Sequence, residues 1–288
     1  MTKITYRDGI AIGEIGIYIP CLLIALWLAN RHGFRRSSGW LYLIIFALCR
    51  IVGASFQLAE IDDPNNTSLL TGAMILQSVG LSPLELTALG LLSRVISSIG
   101  THQRIMLQPA HLKLIQLVVV VGLILNIVGG VHASNELTST GVWHPQTASK
   151  AGSALLIAAY AALVIISFIT SLSISSAESG EKRLLLAVGL SLPFLLVRVV
   201  YSAISTFGTF STFNPLTGNT TVMLVMMLIM ELICVLIYQV TGISLRKQPK
   251  YDTPMGEAGS KGPAPSYGLK PSSDNAYSSY APSVTRRS

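Results

Sequence analysis

Charge is scarce in this sequence. Only 11% of its 288 residues are Asp, Glu, Lys or Arg, against roughly 25% in a soluble globular chain. So few charges cannot cover a water-facing surface, which excludes a soluble enzyme, a nucleic-acid-binding protein and a disordered chain. Cysteine is scarce too. Cys21, Cys49 and Cys234 each lie inside an apolar run, which reads as buried thiols and neither as a disulfide framework nor as a CxxC metal site. The five histidines, His32, His102, His111, His132 and His144, fall in segments read as loops. No two of them stand four apart in a helix, which argues against an intramembrane metal hydrolase. Lysine is missing from the last apolar run, so a retinal Schiff base there is excluded. Neither a GxSxG nor a phosphate-binding loop occurs. The expectation is a non-enzymatic protein with no cofactor and no metal.

Apolar residues are abundant, at 51% of the chain. They gather into seven runs, 9–29, 40–58, 69–99, 112–131, 151–175, 184–207 and 222–245. Each is long enough to cross the hydrocarbon as a helix, which takes about 20 residues. The fold class is therefore all-α, a polytopic seven-transmembrane-helix bundle over 1–245. The first run contains Glu14 and is followed by Arg31, Arg35 and Arg36 rather than a small-residue cleavage site, so it reads as a retained helix and not as a signal peptide. Pro20, Pro83 and Pro193 lie inside the first, third and sixth runs, where a helix is expected to kink. Small residues promise close helix approach: Gly9, Gly13 and Gly16 in the first run, Ala151, Gly152, Ala154, Ala158 and Ala162 in the fifth.

The loops carry an orientation. The first, third and fifth hold Arg31, Arg35, Arg36, Arg104, Lys113, Lys182 and Arg183, whereas the second, fourth and sixth hold only Lys150. The positive-inside rule then places the N-terminus outside and the C-terminus in the cytosol. Glycosylation sequons at Asn65, Asn66 and Asn219 fall in loops assigned to the outside. Residues 246–288 are rich in Ser, Pro, Gly, Lys and Tyr and read as a disordered cytosolic tail, a place for modification or for a cytosolic partner.

Six ionisable residues sit within the apolar runs: Glu14, Arg50, Glu85, Arg94, Arg198 and Glu231. An arginine at mid-membrane costs about 3 kcal/mol on insertion scales, so such groups face the bundle interior and find partners. Three acids and three bases sum to zero. Arg198 with Glu231, and Arg50 with Glu14 or Glu85, are the expected pairs, and the six are the candidate lining of a ligand cavity. The run around Arg50 also resembles that around Arg198, and Glu85 and Glu231 follow at similar intervals. This suggests a three-plus-one-plus-three plan of parallel repeats.

Gly39-Trp40, Phe46, Leu48, Arg50-Ile51 and Gly53 form one motif. Others are Gly80-Leu81-Ser82-Pro83-Leu84 with Gly90-Leu91, Pro193-Phe194 with Arg198 and Tyr201-Ser202, and Glu231 with Tyr238. Across residues 5–245 the chain thereby resembles a fungal family of seven-helix integral membrane proteins defined only by a domain of unknown function. Its topology is more distantly similar to fungal lipid-translocating exporters and to receptor-like seven-helix proteins. The resemblance implies an N-out bundle in a fungal membrane and no particular activity. The functional expectation is a sensor or receptor-like bundle that binds a small hydrophobic or amphipathic ligand. The rival is a transporter or lipid translocator. The expected partners are membrane lipid and such a ligand, with no nucleic acid. The location is multi-pass, in the plasma membrane or another membrane of the secretory pathway.

Overall fold

Inside a bilayer each backbone N–H and C=O must find its partner within the chain, so apolar runs of this length become helices. The computed structural model describes residues 5–32, 38–63, 66–100, 109–140, 146–173, 179–208, 211–213 and 218–245. Asn65, Arg35, Arg36, Arg104, His102, His144 and the tail 246–288 lie outside the described residues. Nine α-helices occur among those described: α1 (Tyr6–His32), α2 (Ser38–Ala59), α3 (Thr67–Val79), α4 (Leu81–Gly100), α5 (Pro109–Thr140), α6 (Thr147–Leu172), α7 (Ser179–Phe207), α8 (Thr220–Met223) and α9 (Met230–Ser244). They make seven spans long and apolar enough to cross a membrane. The third span joins α3 to α4, and the seventh joins α8 to α9 through π-helical turns over Leu224–Ile229.

The breaks have different causes. Pro83 has no N–H to return to the carbonyl four residues earlier, and the third span is interrupted at Gly80, beside it. By contrast, α1 and α7 run unbroken through Pro20 and Pro193. Of the three proline-bearing spans, only the third is interrupted. The π turns contain neither Gly nor Pro, and composition gives no sign of them.

α4 is the axis of the bundle. Residues 81–92 are buried without exception, and the helix packs against α2, α3, α5, α6, α7 and α9. The outer helices show the inverse of a soluble surface. Leu114, Leu117 and Ile124 of α5, with Phe168 and Leu172 of α6, are exposed. Such continuous apolar rows suit lipid and not water.

Of the small residues singled out in the sequence, Gly152 does bring helices together, whereas the glycines of the first run do not. Gly9, Gly13 and Gly16 face outward with nothing within 4 Å of an added Cβ. Ala151, Ala154 and Ala158 are exposed and Ala162 is half-buried. The close seam lies between α5 and α6, where a Cβ on Gly152 would stand 2.7 Å from the Gly122 carbonyl oxygen. Gly and Ala patterns count residues around a helix, whereas the seam depends on which face meets a neighbour.

Three histidines also differ from their expected loop positions. His32 ends α1, and His111 and His132 lie within α5. Helices continue past the apolar core into the interface, so hydropathy alone ends them early. The end of α9 gathers basic side chains: Arg31 donates to the Ile243 carbonyl at 3.1 Å, Arg183 to Ser244 at 3.4 Å, and His32 Nε2 lies 3.1 Å from the Gly242 carbonyl. These groups gather at the last-turn carbonyls, the negative end of the helix dipole, where the Gly242 carbonyl also accepts from the Leu245 amide.

Candidate functional site

Four of the six intramembrane charges form one chain. Arg50 on α2 donates Nη1 to Glu14 Oε1 on α1 at 3.3 Å, and Nη2 to Glu231 Oε2 on α9. Glu231 Oε1 in turn accepts from Arg198 Nε on α7 at 2.7 Å. All four residues are buried. Two acids and two bases cancel, which is what permits such a set at membrane depth. Glu231 is the bridge, since each of its oxygens serves a different arginine.

Gly80 makes room for that bridge. A Cβ there would lie 2.5 Å from Arg50 Nη2 and 2.8 Å from Glu231 Oε1. The backbone of Gly80 is ordinary right-handed helix, at φ −54° and ψ −30°. Space, and not conformational freedom, therefore selects glycine, and the interruption between α3 and α4 lies directly on the ion chain.

The other two charges stand apart. Arg94 pairs through Nε with Glu181 Oε1 on α7 at 3.1 Å. Glu181 opens α7 beside Lys182 and Arg183, in a stretch that hydropathy assigns to a loop. Glu85 on α4 is fully buried, and neither of its oxygens is hydrogen-bonded to a described residue. Arg50 is not its partner. The first half of the chain therefore lacks the Arg50–Glu85 pair that parallel repeats would match to Arg198–Glu231. Below the chain, Ser191 Oγ and Tyr238 Oη lie 2.7 Å apart, and Tyr160 donates to the Leu192 carbonyl at 2.9 Å. These contacts tie α6, α7 and α9 together beyond Arg198.

A cavity begins at Arg198. It lies among α3, α5, α6, α7 and the start of the seventh span, and its water-accessible space is about 100 Å³. Met74, Leu156, Met223 and Met227 supply apolar wall, while Asn126, Ser153 and Thr206 supply polar wall. Ser153 Oγ donates to Asn126 Oδ1 at 3.2 Å and lies 3.2 Å from Thr206 Oγ1. Every lining residue falls in the half of the bundle nearer the N-terminus, and Arg198 is the deepest member on α7. Arg198 also lies 5.7 Å from the centroid of the Tyr201 ring.

A separate lateral groove of about 180 Å³ runs between α1 and the π turns. Ile10, Ile17, Leu224 and Leu228 line it, and Glu14 and Tyr18 lie within it. The π turns thus present Met227 to the cavity and Leu224 and Leu228 to the groove. The ion chain passes beneath this partition, with Glu14 at the groove and Arg198 at the cavity.

Other sequence-singled residues have local roles. Asn66 and Asn219 are N-caps: Asn66 Oδ1 accepts from the Ser68 amide at 3.2 Å, and Asn219 Oδ1 from the Thr221 amide at 2.9 Å. Pro20 and Pro193 are exposed on α1 and α7 and touch neither site, and Pro83 is buried on α4. Cys21 and Cys234 are buried free thiols, and Cys49 is a half-buried one. No cluster of three or more His, Cys, Asp or Glu suited to a metal occurs among the described residues.

Comparison with known proteins yields one match. The family model described as domain of unknown function DUF7702 covers residues 4–248. Neither a curated protein nor a solved structure matches the chain.

Proposed function

Because the chain belongs to the DUF7702 family, a domain of unknown function that brings no activity with it, we propose from its geometry that it is a sensor or receptor-like seven-helix membrane protein. It binds a small amphipathic ligand in the cavity above Arg198. One observation carries the reading: the cavity has a buried guanidinium at its floor and mixed methionine and hydroxyl walls, and it stops at the ion chain. Pockets of this kind, apolar with a few converging polar groups, suit small organic ligands. A site confined to one half of the bundle supports sensing over passage. Occupation near Arg198 acts on Glu231, and through it on α1, α2, α7 and α9 together.

The test uses full-length protein in nanodiscs and six- to ten-carbon amphiphiles with acidic, neutral and basic heads. At least one head class is expected to raise the unfolding temperature saturably, and Met223→Trp, which fills the cavity without touching the ion chain, is expected to abolish the effect. The reading fails if no amphiphile binds in a Met223→Trp-sensitive way.

A translocator is the second reading. The lateral groove favours it, because Glu14 and Arg198 place the two ends of one ion chain at two different openings. Accumulation of a bound amphiphile inside proteoliposomes would support translocation over sensing.

A further inference from the structure

The guanidinium of Arg198 is only partly used. Its Nε donates to Glu231, but no described residue accepts from its two terminal nitrogens. Those nitrogens are not among the polar atoms sealed from solvent without a partner, and Arg198 lines the cavity while being only 2% exposed overall. They therefore open on the cavity. Arg198 is also the one charged side chain among the residues that line it. The acid behind it, Glu231, is shared with Arg50, and Arg50 is shared with Glu14. The cavity thus offers a fixed pair of charge-assisted donors, with no carboxylate among its described lining residues.

We infer that the cavity selects an aliphatic monocarboxylate, whose head takes the terminal nitrogens of Arg198 and whose chain lies against Met74, Met223 and Met227. This rests on the ligand-binding reading above and names the chemistry of that same site. A planar guanidinium fork matches a carboxylate with two parallel hydrogen bonds. A single fork suits one negative charge better than the two of a phosphate monoester. Ser153, Asn126 and Thr206 already satisfy one another in part, so they tolerate a ligand without requiring one. A space of about 100 Å³ corresponds to roughly three waters at liquid density, so a six-carbon acid enters only as the walls give. Methionine walls adapt to flexible aliphatic chains.

The experiment is calorimetric titration of full-length protein in nanodiscs with hexanoate, hexanamide and hexylammonium. Hexanoate is expected to bind at least ten-fold more tightly than hexanamide, and hexylammonium not to bind. Arg198→Gln is expected to remove the preference for hexanoate over hexanamide. That variant also loses its partner Glu231, so Met223→Trp serves as the second: it is expected to weaken hexanoate and hexanamide alike while the unfolding temperature stays within a few degrees. Equal affinity of hexanoate and hexanamide, both sensitive to Met223→Trp, overturns the carboxylate assignment and leaves the cavity reading standing. Absence of saturable hexanoate binding overturns the assignment, and absence of Met223→Trp-sensitive binding by all three probes overturns both.

Discussion

Glu231 carries two arginines, so its removal and theirs are not equivalent. Arg198→Leu leaves Glu14, Arg50 and Glu231, two acids against one base, and strands a buried negative charge. Breaking a buried pair in this way costs about 3–5 kcal/mol. Adding Glu231→Leu restores neutrality, because Glu14 and Arg50 remain paired at 3.3 Å. The double variant is expected to recover about 1 kcal/mol or more of the loss, read as the unfolding midpoint in mixed micelles. A double variant no more stable than Arg198→Leu would mean that the two residues do not act as a charge pair. The pairing of Arg198 with Glu231 was legible because two ionisable residues at similar depth in adjacent spans have few alternatives in lipid. The double duty of Glu231 was not, since it requires α1, α2, α7 and α9 to meet at one point. Gly80 was equally opaque, because only the neighbouring guanidinium reveals that its Cβ has no room.

Helix number and rough position follow from hydropathy, whereas helix ends and irregularities do not. Glu181 looked like part of a basic loop, yet α7 begins at Ser179 and carries it to Arg94. The π turns at Leu224–Ile229 have no Gly or Pro to announce them, and they sit two residues before Glu231, in the wall between groove and cavity. Wide turns of this sort recur at functional sites. Helix starts add a different lesson. Asn219 reads as a glycosylation sequon, but an asparagine followed two residues later by Thr is also what an N-cap looks like when its side chain accepts from that Thr amide. Asn219→Ala is expected to destabilise the bundle by about 1 kcal/mol, and Asn219→Asp, which keeps the accepting oxygen and removes the sequon, by a few tenths at most. Comparable losses in the two variants, measured by denaturant midpoint, would deny the cap its role. A glycan lost from both would show that the one residue serves both purposes.

At the scale of the whole molecule, the distribution of charge sets the direction from which a ligand arrives. Arg31, Lys182 and Arg183 lie at one end of the bundle and Glu60, Asp62 and Asp63 at the other, and from the basic end the positive-inside rule predicts that the acidic end faces outside. The cavity lies in that acidic half, so the predicted orientation would give the Arg198 site to molecules reaching the membrane from outside. Asp62, Lys150 and Lys182 are exposed, and the native thiols of Cys21 and Cys234 are buried while Cys49 is half-buried, so cysteines introduced at these three positions in a Cys49→Ser background report on the topology. A membrane-impermeant maleimide is expected to label Asp62→Cys and Lys150→Cys in intact cells, and Lys182→Cys only after permeabilisation. The opposite pattern would invert the bundle. It would turn the cavity toward the cytosol, and a sensor of intracellular carboxylates would then fit the same guanidinium, because the chemistry at Arg198 is independent of the side from which the ligand comes.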